Sequence, residues 1–515
     1  MKRAALAAAS GALLAAAYPA PDAGWLAWGA TVPLIVLSIT SQARFRSLTE
    51  GWLFGLAFQG IVFAWWFHLL RNYGRLSVPE AAGVFTILVG YLSAYTALFA
   101  WGASRVAARH GAGAALLAAP FFWTALELAR GRLLTGLPWA LLGASQHATP
   151  LFLQVADLGG VLAVSFVVCC GGALVAWAWL CLAARRRREG APASLLIGCT
   201  LAATLLLAAG YGAARLRAVE PPTGLLRVGL VQGNVAQEEK WAANARGRIL
   251  EAHIQATREA AEAGAQLVVW PESSVPLPLT SDPSYRSLLE ATARDLGIGL
   301  MVGSVHFEAA PAGPPRVYNS AFLLDGKAEG VPAQRYDKIR LVPFGEYVPL
   351  RFLLGPVAKL VEEASDFSPG TRPLVLDAGG ALLAPLVCYE AIFPELARRF
   401  TSAGAEAIVN ITNDAFLGDT AGPRQHLAFA AIRAVENRRW LLRAANTGIS
   451  AVVDPWGRVV KRSGYGVSAV IVHDTPLLDE LTIYARFGDV FGWGCVILAL
   501  AAVFFPRFSR DRAHG

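Results

Sequence analysis

The sequence predicts an α-helical membrane region that crosses the bilayer several times, joined to a large α/β domain outside the cytoplasm. Apolar runs crowd residues 1–219 and return at 487–515, whereas the stretch 220–486 is polar and alternates strand-like with helix-like patterns. Composition agrees with this division, because 55% of the residues are hydrophobic and only 16% are charged. A soluble protein carries about a quarter charged residues, so we interpret the chain as an integral membrane protein.

Spanning a bilayer takes about 20 mostly apolar residues, and eight segments reach or approach that length. They lie at 4–20, 25–40, 52–70, 82–103, 114–128, 161–184, 194–213 and 490–505. Lys2 and Arg3 precede the first run as they would precede a signal peptide, but further apolar runs follow at once. We therefore expect a retained first helix, about seven spans before the polar region, and one span with a cytoplasmic tail after it.

Basic residues fall mainly on one face of the predicted membrane region. If the chain has eight spans, the following basic groups all lie on the same side of the membrane: Lys2/Arg3, Arg44/Arg46, Arg105/Arg109, Arg185 to Arg188, and Arg507/Arg510/Arg512. The positive-inside rule makes this face cytoplasmic, so the polar region lies outside. Topology thus explains the net charge of +8, and we expect no nucleic-acid partner. Four arginines break the pattern and either hold lipid phosphates or extend to the interface: Arg71, Arg75, Arg130 and Arg132.

The polar region predicts an α/β domain with its own core. Its apolar, strand-like runs lie at 226–232, 266–270, 299–305, 320–324, 382–388, 407–412, 448–453 and 467–472, and a helical stretch lies at 246–263. Buried apolar strands that alternate with amphipathic helices are typical of α/β domains. Catalytic groups gather at the strand ends of such domains, so polar residues that follow these runs are candidate site residues.

One cysteine, Cys388, lies in the polar region at the end of an apolar run. The other cysteines fall in apolar segments, where they are most simply small buried hydrophobes: Cys169, Cys170, Cys181, Cys199 and Cys495. Cys388 therefore has no obvious disulfide partner, which indicates a working thiol. The alternative interpretation is an inert core cysteine.

A carboxylate and a lysine follow two other strand-like runs. Burial of Glu272, which follows Pro271, would disfavour its charged form and let it act as a base near neutral pH. The alternative is an ordinary acid at a helix start. Lys338 begins a segment with Pro, Phe and Gly, so we expect a buried ammonium that favours a thiolate or stabilises an oxyanion. Glu346 either orients Lys338 or is a surface acid.

These residues form a candidate acyl-transfer site. The turn after Cys388 can present the backbone N–H of Tyr389 to an oxyanion, and a thiol with a carboxylate base and an ammonium suits covalent catalysis. No histidine is required, and His426, beyond the Asn413-Asp414 loop, is a weaker catalytic candidate. The sequence has no zinc-like Cys/His spacing and no phosphate-cradling Gly-x-x-x-x-Gly-Lys pattern. We therefore predict neither a metal nor a cofactor.

The ordered motifs carry a family resemblance. Three of them resemble the Glu-Lys-Cys triad of the nitrilase superfamily: Trp270-Pro271-Glu272, Tyr336-Asp337-Lys338 and Cys388-Tyr389-Glu390. The segment 410–416 fits the same pattern. One branch of this superfamily, the bacterial apolipoprotein N-acyltransferases, has similar membrane segments before and after the domain. The motifs at 341–349 and 135–139 are also similar to those of this branch. The resemblance covers nearly the whole chain, and the ordered set of motifs is strongly specific.

The resemblance implies a nitrilase-like α-β-β-α sandwich on the periplasmic face of the bacterial inner membrane. It implies transfer of the sn-1 acyl chain of a phospholipid, commonly phosphatidylethanolamine, to the α-amino group of the N-terminal diacylglyceryl-cysteine of an apolipoprotein. In this mechanism Glu272 is the base and Cys388 carries a thioester. Lys338 and the N–H of Tyr389 hold the oxyanion. The expected supporting residues are Glu346, Tyr389, Glu390 and Asn413.

The chain departs from the family pattern at Arg340, where histidine is frequent, at Phe416, where tryptophan is common, and at Asn446-Thr447-Gly448. Two apolar clusters accompany the motifs. The first is either a membrane-dipping arm or a helix on the domain core: Leu350, Phe352, Leu353, Leu354, Val357 and Leu360. The second is either an interfacial aromatic belt or a lipid-recognition site: Trp65, Trp66, Phe67 and Tyr73.

Two other functions remain open from the residues alone. A membrane-anchored amidase or nitrilase would use water in place of the amine, but one span would suffice to anchor such a hydrolase. A transporter or scaffold with an inert nitrilase-like domain would be expected to lack a triad member, whereas all three are present. Acidic or basic residues deep in the spans, which transporters need, are also few.

Overall fold

The computed structural model describes residues 1–19, 22–41, 43–186, 194–240, 242–274, 278–310, 314–326, 333–347 and 367–505. The chain divides into two compact units. The first comprises Met1–Ala64, Glu80–Ala218 and Phe487–Gly515, and the second comprises Trp65–Pro79 and Val219–Arg486. The segment Trp65–Pro79, which the sequence analysis placed in the membrane region, thus groups with the α/β unit.

The α-helices are α1 (Lys2–Ala15), α2 (Ala27–Ala30), α3 (Val32–Ile39), α4 (Arg44–Val62), α5 (Trp65–Asn72), α6 (Val78–His110), α7 (Ala112–Arg130), α8 (Pro150–Leu153), α9 (Ala156–Arg186), α10 (Leu195–Arg215), α11 (Gln237–Lys240), α12 (Arg246–Glu262), α13 (Pro283–Leu296), α14 (Pro394–Ser402), α15 (Ala421–Asn437), α16 (Ile483–Phe487) and α17 (Val490–Phe504). Helices of the first unit pack closely through small residues. A Cβ on Gly11 of α1 would lie 2.1 Å from the Phe54 carbonyl oxygen of α4, and such small residues let membrane helices approach each other.

Four helices in the described part of the chain are long and apolar enough to cross a membrane: α6, α7, α9 and α10. The count becomes five if the bent pair α4 and α5 forms one span. The sequence predicted about eight spans because it counts apolar residues, whereas helix breaks shorten several of these runs. For example, the 14 residues of α1 rise only about 21 Å at 1.5 Å per residue, and the bilayer core is about 30 Å thick.

The second unit contains two six-stranded sheets. The strands are β1 (Gly224–Gln232), β2 (Leu267–Val269), β3 (Gly299–Glu308), β4 (Arg316–Asp325), β5 (Gln334–Asp337), β6 (Leu376–Asp377), β7 (Leu382–Val387), β8 (Ala407–Thr412), β9 (Trp440–Ala445), β10 (Ala451–Val453), β11 (Val459–Arg462) and β12 (Ala469–Leu477). The strand orders are β12-β1-β2-β3-β4-β5 and β11-β10-β9-β8-β7-β6. In each sheet three consecutive strands run parallel: β1 to β3, and β7 to β9.

Helices cover the outer faces of both sheets. Helices α12 and α13 pack on the first sheet around a core that includes Leu250, Leu289 and Leu300, and α14 and α15 pack on the second. The sheets meet through β1 with β9 and β4 with β7. This is the predicted α-β-β-α sandwich, and with the apolar helices it confirms the predicted fold class.

The ends of four strands lead into the predicted site residues. Glu272 follows β2, Lys338 follows β5, Cys388 follows β7, and Asn413 follows β8. The carboxyl ends of neighbouring parallel strands lie at one edge of a sheet, which places Cys388 and Asn413 side by side.

Candidate active site

Glu272 lies almost fully buried beyond the end of β2. Its Oε1 accepts a hydrogen bond from Asn319 Nδ2 at 2.7 Å and lies 3.4 Å from Lys338 Nζ. Its Oε2 accepts from the Asn413 backbone N–H at 2.9 Å. Both carboxylate oxygens are therefore held in a fixed orientation by donors from three different segments.

The electrostatics of Glu272 differ from the expectation. Burial alone raises the pKa of this carboxyl, but Lys338, Asn319, Lys240 and Cys388 outweigh it and hold the pKa below its ordinary value. The expectation that the charged form would be disfavoured overall was wrong, because it left out the charges of Lys338 and Lys240. Glu272 is ionised at neutral pH and is ready to accept a proton.

Lys338 is 1% exposed, and its ammonium lies between two carboxylates. Its Nζ donates to Glu346 Oε1 at 2.8 Å, closer than to Glu272. Burial lowers the pKa of Lys338, yet the charges of Glu346 and Glu272 reverse this and raise it above its ordinary value. Lys338 is thus a permanent cation.

Glu346 is a buried partner of Lys338, so the surface-acid alternative is wrong. Its Oε1 accepts from Lys338 and from Asn319 Nδ2, the latter at 2.9 Å. Its Oε2 accepts from the backbone N–H of Val342 at 2.8 Å, which closes the loop between these residues. The structure therefore brings together Glu272, Lys338 and Glu346 around one amide, Asn319.

Cys388 is the first residue after β7 and has a left-handed backbone, with φ of 52°. This conformation is uncommon for a residue with a side chain. The thiol interacts with the Glu272 carboxylate and with the Thr412 hydroxyl. Burial and the Glu272 charge raise the pKa of Cys388 to about 12, although Lys338 lowers it. The resting group is thus a protonated thiol that needs a base, not the preformed thiolate that the lysine alone suggested.

Glu390 lies behind this site and joins its two halves. Its Oε1 accepts from the Tyr336 hydroxyl and from the backbone N–H of Ile339 and Arg340, at 2.8, 2.7 and 3.0 Å respectively. Its Oε2 accepts from the backbone N–H of Val387 at 2.8 Å. Burial raises the pKa of Glu390 to about 7, even though these donors lower it. The residue fixes the chain after Lys338 against the strand that ends at Cys388.

Asn413 connects Glu272 to two further segments. Besides its backbone bond to Glu272, its Nδ2 donates to Gln237 Oε1 at 2.9 Å. Its Oδ1 accepts from Asn446 Nδ2 at 3.1 Å. Asn446, one of the departures from the family pattern, therefore takes part in the network around Asn413.

Sequence reasoning missed two buried residues of the site, Lys240 and Asn319. Lys240 Nζ donates to the Glu272 carbonyl oxygen at 2.9 Å, and burial lowers the pKa of this lysine to about 8 against the opposing charges of Glu272 and Cys388. Asn319 interrupts an apolar run in β4, which was a signal available in the sequence. Lys240 lies in a charged segment and looks like a surface residue in the sequence.

The other sequence features have separate positions. Arg340 pairs with Glu395 and stacks over the Phe393 ring at 5.0 Å. Tyr389 also contacts that ring, at 5.1 Å between centroids. The cluster at 350–360 lies outside the described residues. Within those residues, no group of three or more His, Cys, Asp or Glu side chains is arranged to hold a metal ion.

Two of the clustered aromatic residues pack against protein in the second unit. Trp65 Nε1 donates to Gln425 Oε1 at 3.1 Å, and the Tyr73 hydroxyl donates to the Ala415 carbonyl oxygen at 3.1 Å. The Tyr73 ring also lies edge-on to Phe416, with centroids 5.1 Å apart. Tyr73 thus contacts the segment after β8, and Trp65 contacts α15.

Comparison with known proteins identifies the family of each part of the chain. Residues 227–479 match the family model for carbon-nitrogen hydrolases, and residues 10–174 match the model for the N-terminal domain of apolipoprotein N-acyltransferases. A crystal structure of an amidase from Nesterenkonia sp. covers 53% of this chain and 95% of its own, with 26% identity and a TM-score of 0.37.

Curated relatives match along nearly the whole chain, and each of the following is an apolipoprotein N-acyltransferase. The protein from Geobacter metallireducens is 38% identical over 98% of this chain and 95% of its own. The protein from Azotobacter vinelandii is 36% identical over 99% and 96%, and that from Methylococcus capsulatus is 34% identical over 90% and 88%. Both parts of the chain match the family in order, and the strands β2, β5 and β7 lead to Glu272, Lys338 and Cys388. This chain belongs to the apolipoprotein N-acyltransferase family.

Proposed function

We propose that this acyltransferase moves the sn-1 acyl chain of a phospholipid to the α-amino group of the N-terminal diacylglyceryl-cysteine of an apolipoprotein, and that Cys388 carries the chain between them. The supporting observation is the position of the Cys388 thiol beside an ionised Glu272 and the Lys338 cation. A carboxylate base, a thiol and a fixed cation are what a double-displacement acyl transfer needs.

In the first half-reaction, Glu272 accepts the Cys388 proton as the sulfur attacks the ester carbonyl carbon. The high pKa of the thiol means that proton transfer accompanies attack. Lys338 and the backbone N–H of Tyr389 stabilise the negative oxygen of the tetrahedral intermediate. The ester C–O bond then breaks, Glu272 returns the proton to the leaving oxygen, and a lysophospholipid departs from the thioester.

In the second half-reaction, the α-amino group of the acceptor attacks the thioester carbon. Glu272 accepts the amine proton, the same oxyanion donors act again, and the C–S bond breaks. The proton returns to the Cys388 sulfur, so the enzyme is regenerated and an amide is formed. Glu346, Asn319 and Asn413 act in both steps by holding Lys338 and Glu272 in place.

Three finer points belong to the same proposal. The donor is phosphatidylethanolamine, the location is the bacterial inner membrane, and the catalytic unit faces the periplasm. The family supports lipid and lipoprotein substrates, and the apolar helices support a multi-pass membrane protein. The side of the membrane rests on the distribution of basic residues in the short loops.

The alternative function is a membrane-anchored amidase or nitrilase, which the match of residues 227–479 to carbon-nitrogen hydrolases favours on its own. Both enzymes form an acyl adduct on Cys388, and they differ in whether an amine or water removes it.

Mass spectrometry of the purified protein after incubation with phosphatidylethanolamine separates these outcomes. The transferase predicts an acyl adduct on the peptide that contains Cys388, discharged by a diacylglyceryl lipopeptide but only slowly by water. Rapid discharge by water supports the hydrolase. An unmodified Cys388, together with full activity of Cys388→Ala, would rule out both.

A further inference from the structure

His426 has no role in the mechanism above, yet it is buried directly behind the nucleophile. It lies on α15 with 2% of its surface exposed. Its Nε2 is 3.2 Å from the backbone carbonyl oxygen of Cys388. Its Nδ1 is 3.0 Å from Asp414 Oδ1 and 3.1 Å from an Arg443 guanidinium nitrogen.

These neighbours determine which ring nitrogen carries the proton. We assign the proton to Nε2, because the Cys388 carbonyl oxygen can only accept a hydrogen bond and Arg443 already donates toward Nδ1. The Asp414 oxygen 3.0 Å from Nδ1 accepts from the Thr412 hydroxyl instead. Burial and the Arg443 charge hold the pKa of His426 below its ordinary value despite the opposing charge of Asp414, so the ring is neutral at neutral pH. The Nδ1 lone pair then accepts from Arg443.

The partners of His426 are themselves fixed. Arg443 donates to Asp414 Oδ2 at 2.6 Å and to the side-chain oxygen of Asn410. The other oxygen of Asp414 accepts from the Thr412 hydroxyl at 3.0 Å. All of these residues are buried in the second unit, so the ring cannot rotate away without leaving charged groups unpaired.

The Cys388 carbonyl and the Tyr389 N–H belong to one peptide unit. The described chain has no cis peptide bond, and a trans peptide is planar, so its C=O and N–H point in opposite directions. Fixing the carbonyl oxygen from behind therefore fixes the direction of the N–H in front. This matters because the left-handed φ of Cys388 is intrinsically disfavoured, so the backbone here depends on its surroundings for its conformation.

We propose that His426 is a positioning residue that holds the Cys388–Tyr389 peptide so that the Tyr389 N–H points at the oxyanion of the reacting carbonyl. This inference rests on the proposed function, since it assigns a support to the oxyanion donor of that reaction. The hydrogen bond from Nε2 also polarises the peptide, which makes its N–H a stronger donor.

Two amide substitutions separate this role from a general structural one. In His426→Gln the side-chain NH₂ reaches the position of Nε2 and still donates to Cys388, whereas in His426→Asn the amide occupies the position of Nδ1. Both keep a polar group in the cavity. Because loss of an oxyanion donor slows reactions by about 100- to 1,000-fold, we expect its misdirection in His426→Asn to slow Cys388 acylation by at least about 10-fold, with His426→Gln restoring most of the rate.

Two readouts are measured on the full-length enzyme. The first is acylation of Cys388 by phospholipid, with its maximal rate and half-saturating concentration resolved. The second is alkylation of Cys388 by iodoacetamide, a displacement at carbon that forms no oxyanion. We expect a lower maximal acylation rate in His426→Asn, an unchanged half-saturating concentration, and alkylation within a few-fold of wild type.

Equal acylation rates for the Asn and Gln variants would overturn the proposal, and so would alkylation that falls in parallel with acylation. Failure of the wild-type enzyme to form any acyl adduct would instead refute the proposed function. The two failures are thus distinguishable in one set of measurements.

Discussion

Asn319 offers a sharp test of the site, because one side-chain amide donates to two buried carboxylates. Its Nδ2 donates to Glu272 at 2.7 Å and to Glu346 at 2.9 Å, and the residue is buried. Asn319→Leu keeps the size of the side chain but removes both donors. Each carboxylate then keeps Lys338 as its shared cation but loses a fixed neutral donor.

A hydrogen bond to a charged group contributes about 1.5–3 kcal/mol, so removing both costs about 3–6 kcal/mol of folding stability. Glu272 also loses the donor that orients its Oε1, so we expect the acylation rate of Cys388 to fall by at least about 10-fold, as for a misplaced catalytic group. The missing donor also raises the pKa of Glu272, because it favoured the ionised form. The carboxylate is then protonated at a higher pH, and the acid limb of the rate profile moves upward.

The assay is the rate of Cys388 acylation by phospholipid as a function of pH, together with the thermal unfolding temperature. Asn319→Asp is the matched variant, since it preserves shape but places a third carboxylate beside Glu272 and Glu346. Near neutral pH, Asn319→Asp should acylate Cys388 more slowly than Asn319→Leu and should unfold at a lower temperature. If Asn319→Leu has the same acylation rate, acid limb and unfolding temperature as the wild type, the reasoning about this network is refuted.

Two further substitutions test separate parts of the structure. Lys240→Gln removes a buried charge that lowers the pKa of Glu272, so the acid limb of the acylation rate profile should move to higher pH. An unshifted acid limb would show that the Lys240 charge does not affect the pKa of Glu272. Gly303→Ala would place a Cβ 2.7 Å from the Glu272 Cα and 2.6 Å from the preceding carbonyl oxygen, so acylation should fall by at least about 10-fold, as expected for a misplaced catalytic group. Gly247→Ala, with open space around its Cβ, is the control and should keep wild-type activity; equal activities of the two glycine variants would contradict the predicted steric conflict.

The sequence predicted eight of the twelve strands in the described residues, because these eight have clear local apolar patterns; β5, β6, β9 and β11 were not predicted. An apolar run followed by a polar residue placed Glu272 and Cys388 near strand ends, whereas the strand before Lys338 is polar and short. The α-β-β-α sandwich is confirmed by the two sheets. The catalytic roles of Glu272, Lys338 and Cys388 remain predictions. In the described residues, four or five helices are long and apolar enough to cross a membrane, and the predicted number of about eight spans stays a prediction.

What the sequence did not reveal depends on contacts between distant segments. Asn319 is 47 residues from Glu272 in the chain, and Asn413 is 141 residues from it, yet both bind its carboxylate. The charge state of Glu272 was predicted wrongly for the same reason, because it is the balance of burial against two ammonium groups. Glu390 was expected as a supporting residue, but the sequence did not show that its carboxylate accepts from the backbone N–H groups of Ile339 and Val387.

The central claim is that Cys388 carries the acyl chain from donor to acceptor, and a single-turnover chase tests it most directly. The enzyme is loaded from a phospholipid labelled in its sn-1 chain, separated from the donor and mixed with a diacylglyceryl lipopeptide. We predict that the label leaves Cys388 and appears as an amide on the peptide at least as fast as steady-state turnover. Label that remains on Cys388, or leaves it mainly as free fatty acid, would contradict the claim.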